Sequence, residues 1–249
     1  MSSWANYKDK VVRYFPFSQS EWKGFATTVL VFAVLFSFTN WGETAFDLQE
    51  GLKNLLIAIV IVGVSLFVHH AAQRLMGLWY GYRVEHRVWW IGLLVGLLAA
   101  MLSNGRVLIF AATALQAHFL PAHRLGRWRY GPSLREIGAT AFMGPIASVV
   151  VAFLLYLIAP TFFADFLTFN LLFAAYNMLP IPPLDGLHVF VGSRAGYGGS
   201  FAYLFTFFSF LGFFLIYFLA NFSFWWSILL GMIIGLLGWF VFFTVAERK

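Results

Sequence analysis

The stretch that decides the fold is Val68-His69-His70-Ala71-Ala72-Gln73-Arg74, which ends a long apolar run. A second stretch, Asn177-Met178-Leu179-Pro180-Ile181-Pro182-Pro183-Leu184-Asp185-Gly186, follows more than a hundred residues later. Polar and ionisable side chains are costly inside a membrane and indicate a functional site by default. The two stretches therefore predict a shared polar site in an otherwise apolar chain.

Composition indicates a membrane protein. The chain has 249 residues, of which 61% are hydrophobic and only 10% are charged. Several apolar runs approach or exceed the roughly 18–20 residues that span a bilayer, so we predict an α-helical polytopic protein of the cell membrane. The net charge of +6 then reports on topology, and it does not indicate a nucleic-acid partner. Because cysteine is absent, a metal ion would need His, Asp or Glu.

The apolar pattern divides the chain into three regions. An interfacial N-terminal segment covers 1–22, a membrane core covers 23–190, and a C-terminal transmembrane hairpin covers 191–249. We predict about six transmembrane helices and a short sheet or hairpin near 78–118. Within that region 77–87 could form a short strand, and the apolar pieces 88–102 and 107–118 could form a hairpin or a partly re-entrant element. The predicted spans are 24–41, 52–75, 138–159, 163–180, 201–220 and 223–245.

The basic loops predict the orientation. Almost all Lys and Arg residues fall on one side when the N-terminus, 74–87, 119–136, 192–199 and the C-terminus are grouped there. The positive-inside rule makes that side cytoplasmic. Both termini and the predicted polar site then lie at the cytoplasmic face.

Four motifs in order resemble the site-2 proteases, which are intramembrane zinc metalloproteases, and in particular their compact archaeal members. The resemblance covers roughly residues 18–190. The motifs are the histidine-bearing helix end, Tyr80-Gly81-Tyr82-Arg83-Val84-Glu85, Met143-Gly144-Pro145 and the proline-rich stretch that ends in Leu184-Asp185-Gly186.

The resemblance implies a degenerate zinc site. In the family, a helical His-Glu-x-x-His supplies two zinc ligands and the general base, and the aspartate of Leu-Asp-Gly supplies the third ligand. His69 and Asp185 match ligand positions, whereas His70 replaces the general base and Gln73 replaces the second histidine. A general base contributes about 10²–10⁴ in rate, so we expect weak or absent zinc and an inactive site.

Two interpretations of these residues stay open at the level of sequence. His188 follows Asp185 by three positions, so His69, Asp185 and His188 would make a rearranged ligand set on a helix, with His70 as a base. Alternatively, the histidines form a buried hydrogen-bonded cluster with Gln73 and Asp185. Ser148 stands where the family often has asparagine.

Other segments could bind substrate or anchor the chain. Asn177, Pro180 and Pro182 resemble the family segment that binds substrate in extended form, although a proline-rich run is equally a structural break. The remaining histidines are expected to be interfacial or loop residues: His86, His118 and His123. The arginine-rich loop 124–135 is expected to be a positive-inside anchor.

These observations lead to three functional hypotheses. The first is a pseudoprotease that binds transmembrane segments without cleaving them. The alternative is an intramembrane zinc metallopeptidase with a remodelled site, and the third is a helper subunit of a larger membrane complex. Membrane lipid and transmembrane protein segments are the expected partners.

Overall fold

The structure is a computed structural model that describes residues 4–42, 46–111, 113–120, 133–194, 200–219 and 223–246. Helices form most of the described chain. Their bounds are α1 Trp4–Tyr14, α2 Gln19–Phe36, α3 Leu48–Tyr80, α4 Trp90–Leu102, α5 Leu134–Ile158, α6 Pro160–Asn177, α7 Asp185–Arg194, α8 Ser200–Leu219 and α9 Phe224–Ala246. Strands β1, Tyr82–Val88, and β2, Thr113–Phe119, complete the elements.

Three stretches of helix in the described chain are long and apolar enough to cross a membrane: Leu48–Tyr80, Leu134–Ile158 and Trp225–Val245. This confirms the predicted class, an α-helical membrane protein with a small two-stranded sheet. The second predicted span, 52–75, is part of a longer helix, α3. Asp47 caps its start by accepting from the backbone N–H groups of Gln49 and Glu50, as orphan N–H groups at helix starts require.

The predicted strand begins later than the sequence pattern suggested. Helix α3 continues to Tyr80 and ends at Gly81, whose φ of 86° is a left-handed conformation that favours glycine. Strand β1 then pairs antiparallel with β2, from Tyr82 opposite Phe119 to Val88 opposite Thr113. The short sheet or hairpin expected near 78–118 is therefore confirmed, with helix α4 between its two strands.

Helix α3 lies at the centre of the fold and packs against α2, α5, α6 and β1. Buried phenylalanines fill the core beside it, among them Phe32, Phe110, Phe169 and Phe173. Helix α5 contacts α3 on one side and α6 and α7 on others. The cytoplasmic end predicted for α3 consequently meets the start of α7, where Asp185 lies.

The N-terminal segment predicted to be interfacial contains helix α1, which packs on the last turns of α3. Tyr7 donates its hydroxyl to the carbonyl of Leu75 at 3.2 Å, and Lys10 Nζ donates to the carbonyl of Leu78 at 3.4 Å. The carbonyl of Leu78 also accepts from the backbone N–H of Gly81, and a cation near the carbonyl end of a helix is favourable. Helix α1 thereby covers one end of the central helix. Most of the basic loop 124–135, namely 124–132, lies outside the described residues together with His123, whereas Arg135 belongs to the first turn of α5.

Candidate active site

The last third of α3 carries a run of polar side chains that are almost fully buried. His69, His70, Gln73 and Arg74 are each no more than 2% exposed. They follow one another at helical spacings, so they occupy neighbouring positions on faces that contact α2, α5 and β1. Buried groups of this kind need partners, because an unpaired polar atom costs about 1–3 kcal/mol.

Asp185 supplies the partner for two of them. Its Oδ2 accepts one hydrogen bond from His69 Nε2 at 2.9 Å and another from Gln73 Nε2 at 2.8 Å. The carboxylate lies in the first turn of α7 and is 2% exposed, where the helix dipole favours negative charge. The structure therefore joins the two motifs into one site.

The orientation of the Gln73 amide follows from its surroundings. Its nitrogen also donates to the carbonyl of Ala141 at 2.9 Å, and its Oε1 accepts from His86 Nε2 at 2.7 Å. Turning the amide over would place Oε1 against two acceptors, which is unfavourable. Gln73 thus directs N–H groups, not a ligand oxygen, toward Asp185.

His86 is the member of this cluster that the sequence prediction missed. It was expected to be an interfacial or loop residue, yet it is 9% exposed and bonded to Gln73. Along β1, Tyr82, Val84 and His86 are buried in alternation, so a strict two-residue period places His86 on the inner face. Burial lowers the pKa of the His86 imidazole well below its usual range, and the positive charge of Arg74 acts in the same direction.

His70, the residue in the general-base position, packs on His86 and not on Asp185. The two rings are stacked, with centroids 3.7 Å apart and planes at 15°. His70 Nε2 is buried without a hydrogen-bond partner. Parallel stacked imidazoles cannot both place a ring nitrogen lone pair on one metal ion, because each lone pair lies in its own ring plane. His70 therefore has no geometry for joint metal binding with His86.

Two glycines of the quoted motifs lie where neighbouring atoms leave no room for a Cβ. A Cβ on Gly144 would lie 2.4 Å from His69 Nε2 and 2.7 Å from Gln73 Nε2. A Cβ on Gly186 would lie 2.1 Å from the carbonyl oxygen of Met178. Real Cβ atoms do not make such contacts, so glycine at these positions lets α5 and the 178–186 turn close onto the cluster.

A buried ion pair borders the cluster on its α2 side. Arg74 pairs with Glu21 and also donates to the carbonyls of Phe15 and Pro16 at 2.8 and 3.0 Å. Its guanidinium lies 4.0 Å from the centre of the Phe17 ring. Glu21 in turn accepts from the backbone N–H of His86 at 3.2 Å. The pair ties the start of α2 to both α3 and β1.

The remaining predicted site residues are distributed around the cluster. Ser148 donates toward His69 Nδ1 at 3.3 Å, which leaves Nε2 of His69 as the donor to Asp185. Asn177 is fully buried and donates to the Phe173 carbonyl of its own helix at 2.8 Å, while its Oδ1 is unpartnered. Pro180 and Pro182 are exposed beyond the end of α6. His188 is half-buried on α7, and its backbone carbonyl faces Gly138.

The donor set does not fit a zinc site. Among the described residues, no group of three or more His, Asp or Glu side chains could hold a metal ion, so His188 does not complete a set with His69 and Asp185. Structural and catalytic zinc sites take at least three protein ligands. Here His69 and Asp185 are bonded to each other, and an amide N–H stands in the third position.

Comparison with known proteins supports a protease relationship. Over 181 residues, which are 69% of this chain and 84% of the relative, the sequence is 27% identical to a Methanocaldococcus jannaschii protein provisionally named a zinc metalloprotease. The chain is similar to a metalloprotease. No family model matches it, and no solved structure matches it.

Proposed function

We propose that this chain is a site-2-protease-like pseudoprotease that binds transmembrane segments without cleaving them. One observation carries the proposal: Asp185 Oδ2 already accepts hydrogen bonds from both His69 and Gln73. Because the His69 imidazole and the Asp185 carboxylate are hydrogen-bonded to each other, they do not form a ligand set for zinc. Without zinc, the water molecule for peptide hydrolysis is not activated. The protease-like sequence and the buried cluster support a retained scaffold.

The proposed substrate-binding element is the turn after α6. Pro180 and Pro182 are exposed there. The carbonyls of Leu179 and Ile181 accept N–H groups of the turn itself, whereas those of Pro180 and Pro182 accept no backbone hydrogen bond from the described residues. An unwound transmembrane segment has free N–H groups that need acceptors in a membrane. The turn therefore offers hydrogen bonds to a segment that is locally extended, next to a cluster that cannot cut it.

The test is reconstitution of the full chain in bilayer nanodiscs with zinc and a panel of labelled single-span peptides. We expect energy transfer between the chain and the labelled peptides, which reports binding. Mass spectrometry should detect no cleavage product. Pro182→Ala should weaken binding, whereas Pro160→Ala, a matched exposed proline at the start of α6, should not.

The metal content separates this proposal from the remodelled metallopeptidase. Stoichiometric zinc in the purified protein that is lost in Asp185→Ala, together with cleavage of any peptide, would overturn the pseudoprotease assignment. Peptides that neither bind nor are cut would overturn the binding function.

A further inference from the structure

A cavity of about 450 Å³ lies between the start of α2 and the end of β1, on the outer side of the histidine cluster. Its lining includes Lys23, Thr27, Glu85, His86, Arg87 and Trp90. The volume lies within the range of roughly 300–1,000 Å³ that small-molecule sites occupy. None of the predicted metal or substrate residues lines this cavity.

The cavity has two cations without acidic partners. Glu21 on its wall pairs with Arg74, and Glu85 pairs with Arg83 at 3.2 Å. Within the described residues, neither Lys23 nor Arg87 forms an ion pair, and both are exposed. Since the carboxylates have their own cations, the cavity favours an anion at the side where Lys23 and Arg87 lie.

His86 closes the inner wall of the cavity. The residue is 9% exposed, and its Nδ1 is buried inside the protein without a hydrogen-bond partner. Since this nitrogen has no accessible surface, recognition in the cavity depends on the two cations at its mouth. An anionic group is the chemistry that the cavity recognises.

The surroundings place this chemistry at the membrane interface. Trp22 and Trp90 are 48% and 66% exposed beside the cavity, and tryptophan is enriched at the level of lipid headgroups. Helix α2 exposes apolar side chains beyond this point, with Leu30 54% and Val34 40% exposed. Basic pockets at this depth bind anionic headgroups.

We propose that the cavity between α2 and β1 binds the headgroup of an anionic phospholipid. Lys23 and Arg87 contact the phosphate. The bound headgroup bridges α2 to β1, the two elements that Glu21 also joins through Arg74 and the backbone of His86. This site is independent of whether the chain binds transmembrane segments.

The experiment titrates the full chain in maltoside micelles with short-chain phosphatidylglycerol, phosphatidylcholine, phosphatidic acid and inorganic phosphate. Tryptophan fluorescence and the thermal unfolding midpoint report binding. Phosphatidylglycerol and phosphatidic acid should bind more tightly than phosphatidylcholine, and Lys23→Gln with Arg87→Gln should weaken phosphatidylglycerol binding about twenty-five-fold, at roughly fivefold for each charge. The control, Lys53→Gln with Arg106→Gln, removes two exposed charges outside the cavity and should leave the affinity unchanged.

Three results would overturn the proposal. Equal affinity of the Lys23/Arg87 variant and the wild type would show that the cavity is not the site. Phosphatidylcholine binding as tightly as phosphatidylglycerol would show that the cavity does not recognise the anionic charge. Inorganic phosphate displacing phosphatidylglycerol at equal concentration would identify a free-anion site and not a lipid site.

Discussion

His70 and His86 stack face to face at 3.7 Å although one belongs to helix α3 and the other to strand β1. The contact withdraws the residue in the general-base position from Asp185 and fixes it against a neutral ring. Together with the bond from His86 to Gln73, it ties the strand to the helix at the two positions where the chain departs from the His-Glu-x-x-His pattern that it resembles. His70 and Gln73 are therefore part of the packing between α3 and β1.

Building the His-Glu-x-x-His pattern into α3 should create metal binding. His70→Glu combined with Gln73→His would supply a third ligand beside His69 and Asp185 and a carboxylate in the base position. We expect the purified double variant to hold close to one zinc ion per chain by elemental analysis, well above the wild type. Adding Asp185→Ala to the double variant is the control and should remove that zinc. Unchanged zinc content would mean that helix α5 or α7 no longer leaves room for an ion.

Gly144→Ala should destabilise the protein. The added Cβ would meet His69 and Gln73 at 2.4 and 2.7 Å, and overpacking of this kind costs about 1–3 kcal/mol. Gly63→Ala is the matched control, because its nearest contact would be Val29 at 3.9 Å, and replacing a helical glycine by alanine is favourable by up to about 1 kcal/mol. Thermal unfolding in detergent compares the two, and equal midpoints would contradict the close approach of α5.

The Arg74–Glu21 pair should show strong coupling. Arg74→Met leaves a carboxylate that is 7% exposed without its cation, and breaking a buried pair costs about 3–5 kcal/mol. The double variant Arg74→Met with Glu21→Gln should lose much less than the sum of the two single losses. A double-mutant cycle on the free energy of unfolding measures the coupling, and additive losses would show that the pair is not formed.

Acidification should weaken the fold through His86. Its pKa in the folded protein is lowered well below the ordinary value of 6.5, so the unfolded chain binds the proton more readily. The contribution of His86 is then fully present above about pH 6.5 and declines as the pH falls, by up to about 1.4 kcal/mol per pH unit. Unfolding measured between neutral and acid pH should show this slope, and His86→Gln should reduce it. An unchanged slope in the variant would assign the titration elsewhere.

The amino-acid sequence predicted the membrane class, the central helix and the small sheet, because each depends on local composition and periodicity. The resemblance also directed attention to His69 and Asp185, which the structure brings to 2.9 Å. The role of these residues stays a prediction until metal content and cleavage are measured.

The burial of His86 and Arg74 was harder to predict from the sequence. The segment Tyr82–Val88 mixes aromatic and charged residues, which is typical of an interface, and its inner face becomes visible only through the two-residue alternation. Arg74 stands among basic residues assigned to the cytoplasmic side, yet it is buried because Glu21, 53 positions earlier, returns to meet it. Such long-range pairing is a property of the packed helices and not of either segment.

The left-handed turn at Gly81 has a consequence for how the cluster tolerates change. Five positions separate Gly81 from His86, and side chains in a strand alternate between faces. Deleting one residue from this connection would exchange the two faces of β1 and bring Arg87 into the place of His86. A second cation would then lie beside Arg74. The length of the connection is therefore as much a determinant of the cluster as the residues within it, and length variation between Gly81 and His86 should be more damaging than most substitutions there.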